Sequence, residues 1–356
     1  MTILLVRPRL IGDVILTTPS IQALRRRFPD AKLLYLVEAL AAPIVANNPH
    51  INETFVIRHR RGWRRWLEDL RLARELRSRQ IDVAIDLHGG PRSGWLTWAT
   101  RAPMRVGYDV SGRRWMYTHR IPRPRGYQPR HSVLNQWDLV APVVGSPAEL
   151  PSPERERVVM PIPAASLGAM TERLTSLGVA PNDDVIVMHA SAGNQFRRWP
   201  AASFREVART LAADRPGRRV ILLGDRSDES LAAEIAGGSG SESGSSGRIL
   251  SALGWPLDQV RALMERASLF IGGDSGPMHI AATTDVPIVA IFGPTLPALW
   301  TPWRPARVPL AIIEGGPLPC RPCDQRICHP GDFRCLRNIG PEPVITAARR
   351  LLEARP

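Results

Sequence analysis

The sequence predicts an α/β protein built from two open, parallel-sheet domains. Three observations carry that expectation. Short apolar runs alternate with amphipathic segments of helical spacing, as they do where strands are joined by crossover helices. The alternation occurs twice, on either side of the Pro- and charge-rich stretch Pro151-Ser-Pro-Glu-Arg-Glu-Arg157. A chain of 356 residues with 44% apolar content is long enough for two buried cores.

In the first half, residues 2–6 form an apolar run of buried-strand type, followed by a loop from Arg7 to Asp13. Thr18 is the expected N-cap of a helix, with Pro19 in its first turn and Ile21, Leu24 and Phe28 on one face. Lys32 to Val37 reads as the next strand. Trp63 to Arg79 reads as a long arginine-rich helix with Trp66, Leu70, Ala73 and Leu76 on its core stripe, and Ile81 to Leu87 as a strand entering the turn His88-Gly89-Gly90. The second half repeats the rhythm. Strands are expected at 184–188, 219–223, 269–272 and 287–292. Helices are expected around Phe204 to Leu211, over 257–267, from Pro277, and at the end through Val344, Ala347, Leu351 and Leu352. Gly237 to Gly247 is almost all Gly and Ser and reads as a surface loop. The expected division is 1–155, 156–340 carrying a cysteine cluster, and a closing helix in 341–356. Two open sheets joined by a linker place the loops after their strands around a cleft, where ligands bind.

No stretch approaches 18 uninterrupted apolar residues, which excludes a membrane-spanning helix. Arg7, Arg9 and Asp13 interrupt the apolar amino-terminal stretch and argue against a signal peptide, so the expected location is the cytoplasm. The formal charge is +14, and with Lys32 the single lysine it is carried almost wholly by arginine. A surface this basic suits an anionic partner: nucleic acid, acidic lipid or a phosphorylated substrate.

Four groups of residues have chemical potential. Gly272-Gly-Asp274-Ser275-Gly276-Pro277-Met-His279 joins a buried strand to a helix, and free N–H groups at such a start favour phosphate. An ordinary capped turn has the same composition. His189-Ala-Ser-Ala-Gly193-Asn-Gln-Phe-Arg197-Arg198-Trp199-Pro200 offers close backbone approach and then two guanidinium groups, which suits a diphosphate as well as a plain surface loop. Asp13, after the first strand, fits either a general base or a helix cap. All four cysteines lie together, Cys320-Arg-Pro-Cys323, Cys328 and Cys335. Their spacing suits a closed four-thiolate zinc or iron knuckle, with His329 as a substitute ligand; a reduced or redox-active cluster is the other reading.

Taken together the motifs resemble glycosyltransferase family 9, the bacterial ADP-heptose:lipopolysaccharide heptosyltransferases. The resemblance rests on Gly12-Asp13-Val-Ile-Leu-Thr-Thr-Pro-Ser20 and on Ile85-Asp-Leu-His-Gly-Gly-Pro-Arg-Ser93. It continues in Arg197-Arg-Trp-Pro200, Asp274-Ser-Gly-Pro-Met-His279, Phe292-Gly-Pro-Thr295 and Asn338-Ile-Gly-Pro-Glu-Pro-Val344. It implies the GT-B fold, two Rossmann-like domains facing a central cleft, with a closing helix that often packs back on the first domain. It also implies metal-independent inversion, with no cofactor for catalysis. Asp13 would be the base. Arg197, where many members have lysine, would hold the donor diphosphate with Gly193, Ser275, Gly276 and His279. Asp274 would hold the donor sugar, and Asp228 and Trp255 the nucleoside. Arg60, Arg61 and Arg92, with Arg64 and Arg65, would meet a phosphorylated lipopolysaccharide precursor at the cytoplasmic face of the inner membrane, and Trp63 and Trp66 would either dip into that interface or sit in the core. The alternatives are a transferase using another nucleotide sugar for a surface polysaccharide or protein, a nucleotide-sugar epimerase, and, from another class, a basic nucleic-acid-binding protein with a metal knuckle. On the main reading no nucleic acid is expected as a partner.

Overall fold

The computed structural model describes residues 1–58, 60–123, 129–145, 149–237 and 247–354. The chain divides into two compact units, Met1–Pro161 and Ile162–Pro356. Most of the Gly/Ser-rich loop, residues 238–246, lies outside the described residues.

The first unit holds a parallel sheet of β1 (Thr2–Val6), β2 (Lys32–Glu38), β3 (Glu53–Ile57), β4 (Val83–Asp86), β5 (Met104–Tyr108) and β6 (His119–Ile121), in the order β3-β2-β1-β4-β5-β6. The second holds β7 (Asp184–His189), β8 (Arg218–Gly224), β9 (Ile249–Leu253), β10 (Leu269–Gly273), β11 (Ile288–Phe292) and β12 (Leu310–Glu314), in the order β12-β11-β10-β7-β8-β9. Both are doubly wound orders, each reversing direction beside its first strand. The central strands are covered on both faces, so they read as unbroken apolar runs: Ile3, Leu4, Leu5 and Val6 are all fully buried.

The boundary falls at Pro161, six residues beyond the sequence expectation, because 156–161 is tied to the first unit. Gln22 Nε2 donates to the Arg157 carbonyl at 2.6 Å, Val159 N–H donates to Thr18 Oγ1 at 3.0 Å, and Arg26 pairs with buried Glu156. Thr18 is therefore not the N-cap of its helix; Thr17 holds that position. The last helix, Pro341–Glu353, buries Val344, Ile345, Ala348 and Leu351 in the core of the second unit, with Phe204 and Leu211.

One stripe departs from expectation. In the helix Trp63–Ser78, Leu72, Ala73 and Leu76 are buried, whereas Trp66, Leu67 and Leu70 are exposed.

Candidate active site

In each unit the sheet order reverses between two neighbouring strands, β1 and β4 in the first and β7 and β10 in the second. Loops leaving the carboxyl ends of such a pair diverge to opposite faces and open a crevice, which is where ligands of doubly wound folds bind. Asp13 lies beyond β1 and the His88-Gly89-Gly90 turn beyond β4; the His189 loop lies beyond β7 and the Asp274 turn beyond β10.

Asp13 is the third residue of a short helix, Ile11–Ile15. Its Oδ2 accepts the Leu10 N–H at 3.3 Å and pairs with Arg7 at 2.8 Å. Oδ1 accepts no hydrogen bond among the described residues. The cap and the base are therefore compatible: one oxygen fixes the carboxylate and the other is free to take a proton. Arg7 is itself held, because its guanidinium also donates to the Leu87 carbonyl.

The neighbouring turn is fixed by Asp86, which is fully buried. Oδ1 accepts the N–H groups of His88 and Gly89, both at 2.9 Å, and Oδ2 accepts Ser93 Oγ at 3.0 Å and the Tyr117 hydroxyl at 2.6 Å. Burial and then the Asp86 charge push the Tyr117 phenol far up, so it stays a donor. Glycine makes room for that ring: a Cβ on Gly107 would stand 2.4 Å from it. Burial, and next the charge of Arg7, lower the His88 pKa and keep the imidazole neutral beside Asp13.

In the second unit, register pairs Gly272 with His189, which brings the two predicted loops side by side. Ser275 occupies the N-cap of Gly276–Ala281, but its hydroxyl does not cap the helix. It lies 3.2 Å from His189 Nδ1 and 3.1 Å from the Gly273 carbonyl, so the N–H groups of the first turn keep no side-chain partner. His189 Nε2 is 3.2 Å from Ser191 Oγ. Burial lowers the His189 pKa to about 4, opposed by the charge of Asp228, so the ring is neutral and bridges two hydroxyls.

Arg197 is set by its neighbours in sequence. Phe196 and Trp199 are buried on either side, Trp199 Nε1 donating to the Ile339 carbonyl at 2.9 Å and Phe196 resting on Phe333. Arg197 NH1 then lies 3.1 Å from Asp274 Oδ2 and 3.3 Å from the Asp274 carbonyl, and Nε donates to Gln325 Oε1 at 2.6 Å. Burial pulls the Asp274 carboxyl up, yet His279, Arg197 and Thr295 together hold it below the ordinary value. His279 Nε2 is 3.8 Å from Asp274 Oδ1.

The remaining predicted residues fall into place unevenly. Asp228 caps the turn after β8, its Oδ2 accepting the Asp225 N–H at 2.8 Å, and lines a cavity of about 510 Å³ with Ala190, Arg198 and Trp199. Trp255 is half-buried beneath the guanidinium of Arg173. Gly193 is exposed, and an added Cβ there would meet nothing within 4 Å, so no close backbone approach within this unit requires a glycine. Arg60 and Arg61 are exposed ahead of the helix Trp63–Ser78. Arg92 is not a free cation: its Nε donates to buried Asp69 at 2.9 Å.

The sequence expectation of a four-cysteine metal knuckle finds no support in the side-chain geometry. Among the described residues no group of three or more His, Cys, Asp or Glu side chains is placed to hold a metal ion. Cys320, Cys323, Cys328 and Cys335 are free and half-buried, and His329 is exposed. Cys323 Sγ accepts the Gln325 N–H at 3.3 Å, and burial, followed by the charges of Cys320 and Cys328, pushes the Cys335 thiol up. The segment instead braces the Arg197 loop, since Gln325 receives both Arg197 and the Asn194 amide. Gln325 and Arg7 are the two residues sequence reasoning missed. Gln325 has no local signal because its partner Arg197 is 128 residues away, and Arg7, six residues before Asp13, is turned onto it by a loop whose shape spacing does not give.

The family model described as glycosyltransferase family 9 (heptosyltransferase) matches residues 69–330. The chain belongs to glycosyltransferase family 9. It is 29% identical to a lipopolysaccharide heptosyltransferase 3 of Escherichia coli over 303 residues, covering 82% of this chain and 83% of that one. It is 24% identical to the lipooligosaccharide heptosyltransferase 2 of Haemophilus ducreyi, covering 99% of both. Among solved structures it matches a family 9 glycosyltransferase from Veillonella parvula with a TM-score of 0.85 at 25% identity, covering 99% of this chain and 98% of that one. It matches the E. coli ADP-heptose heptosyltransferase II with a TM-score of 0.77 at 21% identity, covering 99% of both. The family 9 protein is thus a glycosyltransferase with two Rossmann-like units of GT-B type. Among its described residues no helix is long and apolar enough to cross a membrane.

Proposed function

We propose that this family 9 enzyme transfers heptose from ADP-heptose to a phosphorylated inner-core acceptor of lipopolysaccharide, with inversion, at the cytoplasmic face of the inner membrane. The relatives' names supply the sugar and the acceptor class. The observation that carries the mechanism is the asymmetry of Asp13, one oxygen engaged by Arg7 and the Leu10 N–H and the other open.

On this reading Asp13 Oδ1 takes the proton of an acceptor hydroxyl as that oxygen attacks C1 of the donor sugar. The new C1–O bond forms on one face while the C1–O bond to the diphosphate breaks on the other, and its electron pair leaves with ADP. Arg197 and the N–H groups of Ser275 and Gly276 receive the developing charge. Neutral His189 keeps the Ser275 hydroxyl turned away from those N–H groups. Asp274 and His279 hold the sugar end, and Asp228 and Trp255 the nucleoside. A preorganised donor at a leaving group is typically worth about 2.7–4 kcal/mol, so two such elements account for a large part of the rate.

The test is a donor screen of ADP-, UDP- and GDP-sugars, followed by NMR of the product anomer. ADP-heptose preference with an inverted linkage supports the reading. Preference for another nucleotide sugar moves the enzyme to a related transferase, and a retained linkage removes Asp13 from the role of base.

A further inference from the structure

Arg7 does more than fix Asp13. The guanidinium that pairs with Asp13 Oδ2 at 2.8 Å also donates to the Leu87 carbonyl, in the peptide group that enters His88. The Leu87 N–H donates in turn to the Val6 carbonyl at 3.0 Å, so the loops after β1 and β4 are stitched together from both sides. Asp86 Oδ1 then holds the His88 and Gly89 N–H groups. The backbone of His88 is thereby set one guanidinium away from Asp13. Its ring is placed as well. An added Cβ on Gly90 would stand 2.7 Å from the His88 Cδ2 and 2.9 Å from Nε2. The backbone at Gly90 is ordinary, with φ at −84°, so it is the imidazole that needs a glycine there. The ring is half-buried, and neither of its nitrogens has a hydrogen-bond partner among the described residues. Everything around the side chain is bonded into place, and the side chain itself is left unengaged.

The surroundings also decide its charge. Burial first, and then Arg7, lower the His88 pKa; Arg9 adds to this, while Asp86 and Asp13 oppose it. The ring is therefore neutral, with one nitrogen protonated and the other bare. A cation at this place would pair with Asp13 and weaken it as a base, which a neutral ring does not do. One donor and one acceptor match a hydroxyl, which also donates and accepts. A carboxylate or phosphate would use only the donor. It would be better met by Arg9, which is exposed and takes part in no ion pair among the described residues.

We infer that His88 is an acceptor-binding residue: its imidazole holds a sugar hydroxyl neighbouring the one that Asp13 deprotonates, and so selects which hydroxyl of the acceptor meets the base. This rests on the proposed role of Asp13. A single bond to the base leaves the acceptor ring free to turn, and a second fixed point beside it sets the line of attack. The Arg7 bridge keeps the two points in register.

The experiment is steady-state kinetics of the full chain with ADP-heptose and a heptose-terminated inner-core oligosaccharide. Beside it are run monodeoxy forms of that acceptor, each lacking one hydroxyl next to the attacking one. If the donor screen selects another nucleotide sugar, its own acceptor and the deoxy forms of that acceptor are used. Loss of one of these hydroxyls is expected to raise the wild-type acceptor KM roughly fivefold to tenfold. His88→Ala is expected to raise it by the same factor and to lose nothing further with that analogue, while kcat and ADP affinity by calorimetry hold. His88→Gln, which keeps a donor and an acceptor, is expected to recover part of the loss. Gly90→Ala leaves the imidazole intact but pushes it from its place, and is expected to act like His88→Ala. An unchanged acceptor KM in His88→Ala overturns the inference, as do penalties that simply multiply for every analogue. A fall in kcat of two decades in His88→Gln with KM unchanged makes His88 a base and also overturns it. The Asp13 reading fails separately, on near-normal turnover of Asp13→Asn, whereas the coupling of His88 to one hydroxyl is read in a chain that keeps Asp13.

Discussion

Replacing Asp13 by Asn separates its two jobs. Asparagine keeps the side-chain oxygen that receives the Leu10 N–H, so the turn into Ile11–Ile15 retains its cap. It loses the charge that Arg7 pairs with at 2.8 Å and any capacity to accept a proton at Oδ1. The pair is partly buried, with side-chain exposures of 12% and 18%, and Arg7 keeps the Leu87 carbonyl. The stability cost should therefore stay at about 1–2 kcal/mol, a shift of a few degrees for a unit of this size. The kinetic cost should be far larger. A positioned general base is worth roughly 10²–10⁴-fold, which is about 2.7–5.5 kcal/mol of barrier. The assay is ADP release with ADP-heptose and a heptose-accepting core sugar, run beside calorimetric titration of ADP and thermal unfolding. Turnover should fall by two decades or more while ADP affinity holds, because the diphosphate-holding groups assigned above belong to the other unit. Near-normal turnover would refute the base. A loss of turnover that heals on cooling in step with refolding would show that Asp13 matters only as a cap.

Three further outcomes follow from the same geometry. Arg197→Ala should weaken ADP binding at least tenfold, whereas Arg197→Lys should recover part of the loss; calorimetry returning the wild-type affinity for the alanine variant would sink the diphosphate role. His189 is neutral in the fold, with a pKa near 4 against an ordinary 6.5, so below 6.5 the unfolded chain binds a proton that the native state refuses. Stability should thus fall as pH drops from 6.5 to 4, by up to about 3 kcal/mol, and His189→Gln should flatten that part of a denaturation-versus-pH curve. Asp86→Asn replaces a carboxylate that accepts four hydrogen bonds with an amide that must donate, so it should destabilise by roughly 3 kcal/mol or more; an unchanged melting midpoint would contradict the network.

What the sequence disclosed and what it hid follow from the range of each interaction. β1, β2, β4, β7, β8, β10 and β11 were legible because burial on both faces makes a strand largely apolar. β3, β5, β6, β9 and β12 were not; four of these are edge strands, and His119–Ile121 carries histidine and arginine. The helix Ser132–Val144 was hidden by Pro142 within it. The exposed tryptophans follow a helical stripe that spacing alone assigns to the core. Asp13, Arg197, Asp274 and Ser275 were found as types at strand ends, but their orientation was invisible. The cysteine spacing shows the same limit: four thiols within 16 residues do not say whether their sulfurs meet in metal-ligand geometry, and the segment is held by Arg321 on the Thr295 carbonyl and by Gln325 on Arg197.

On the proposed reading, the arrangement of Arg197 lets a guanidinium serve where the family resemblance expects lysine. A guanidinium has five N–H donors in a fixed fork. Nε is taken by Gln325 Oε1, and NH1 faces both the carbonyl and Oδ2 of Asp274. NH2 has no protein acceptor among the described residues, so its two N–H groups, which point apart, remain free on a guanidinium oriented by its other donors. An ammonium at the end of a flexible stem has three donors in all, and satisfying Gln325 and Asp274 would leave one. The buried carboxylate of Asp274 therefore does not cancel the cation. It fixes the fork, and the conformational entropy that binding a diphosphate would otherwise cost has already been lost in folding. In the first unit the charges are reversed but the device is the same. There Arg7 fixes Asp13 through one oxygen, and on the proposed reading the other oxygen takes the proton.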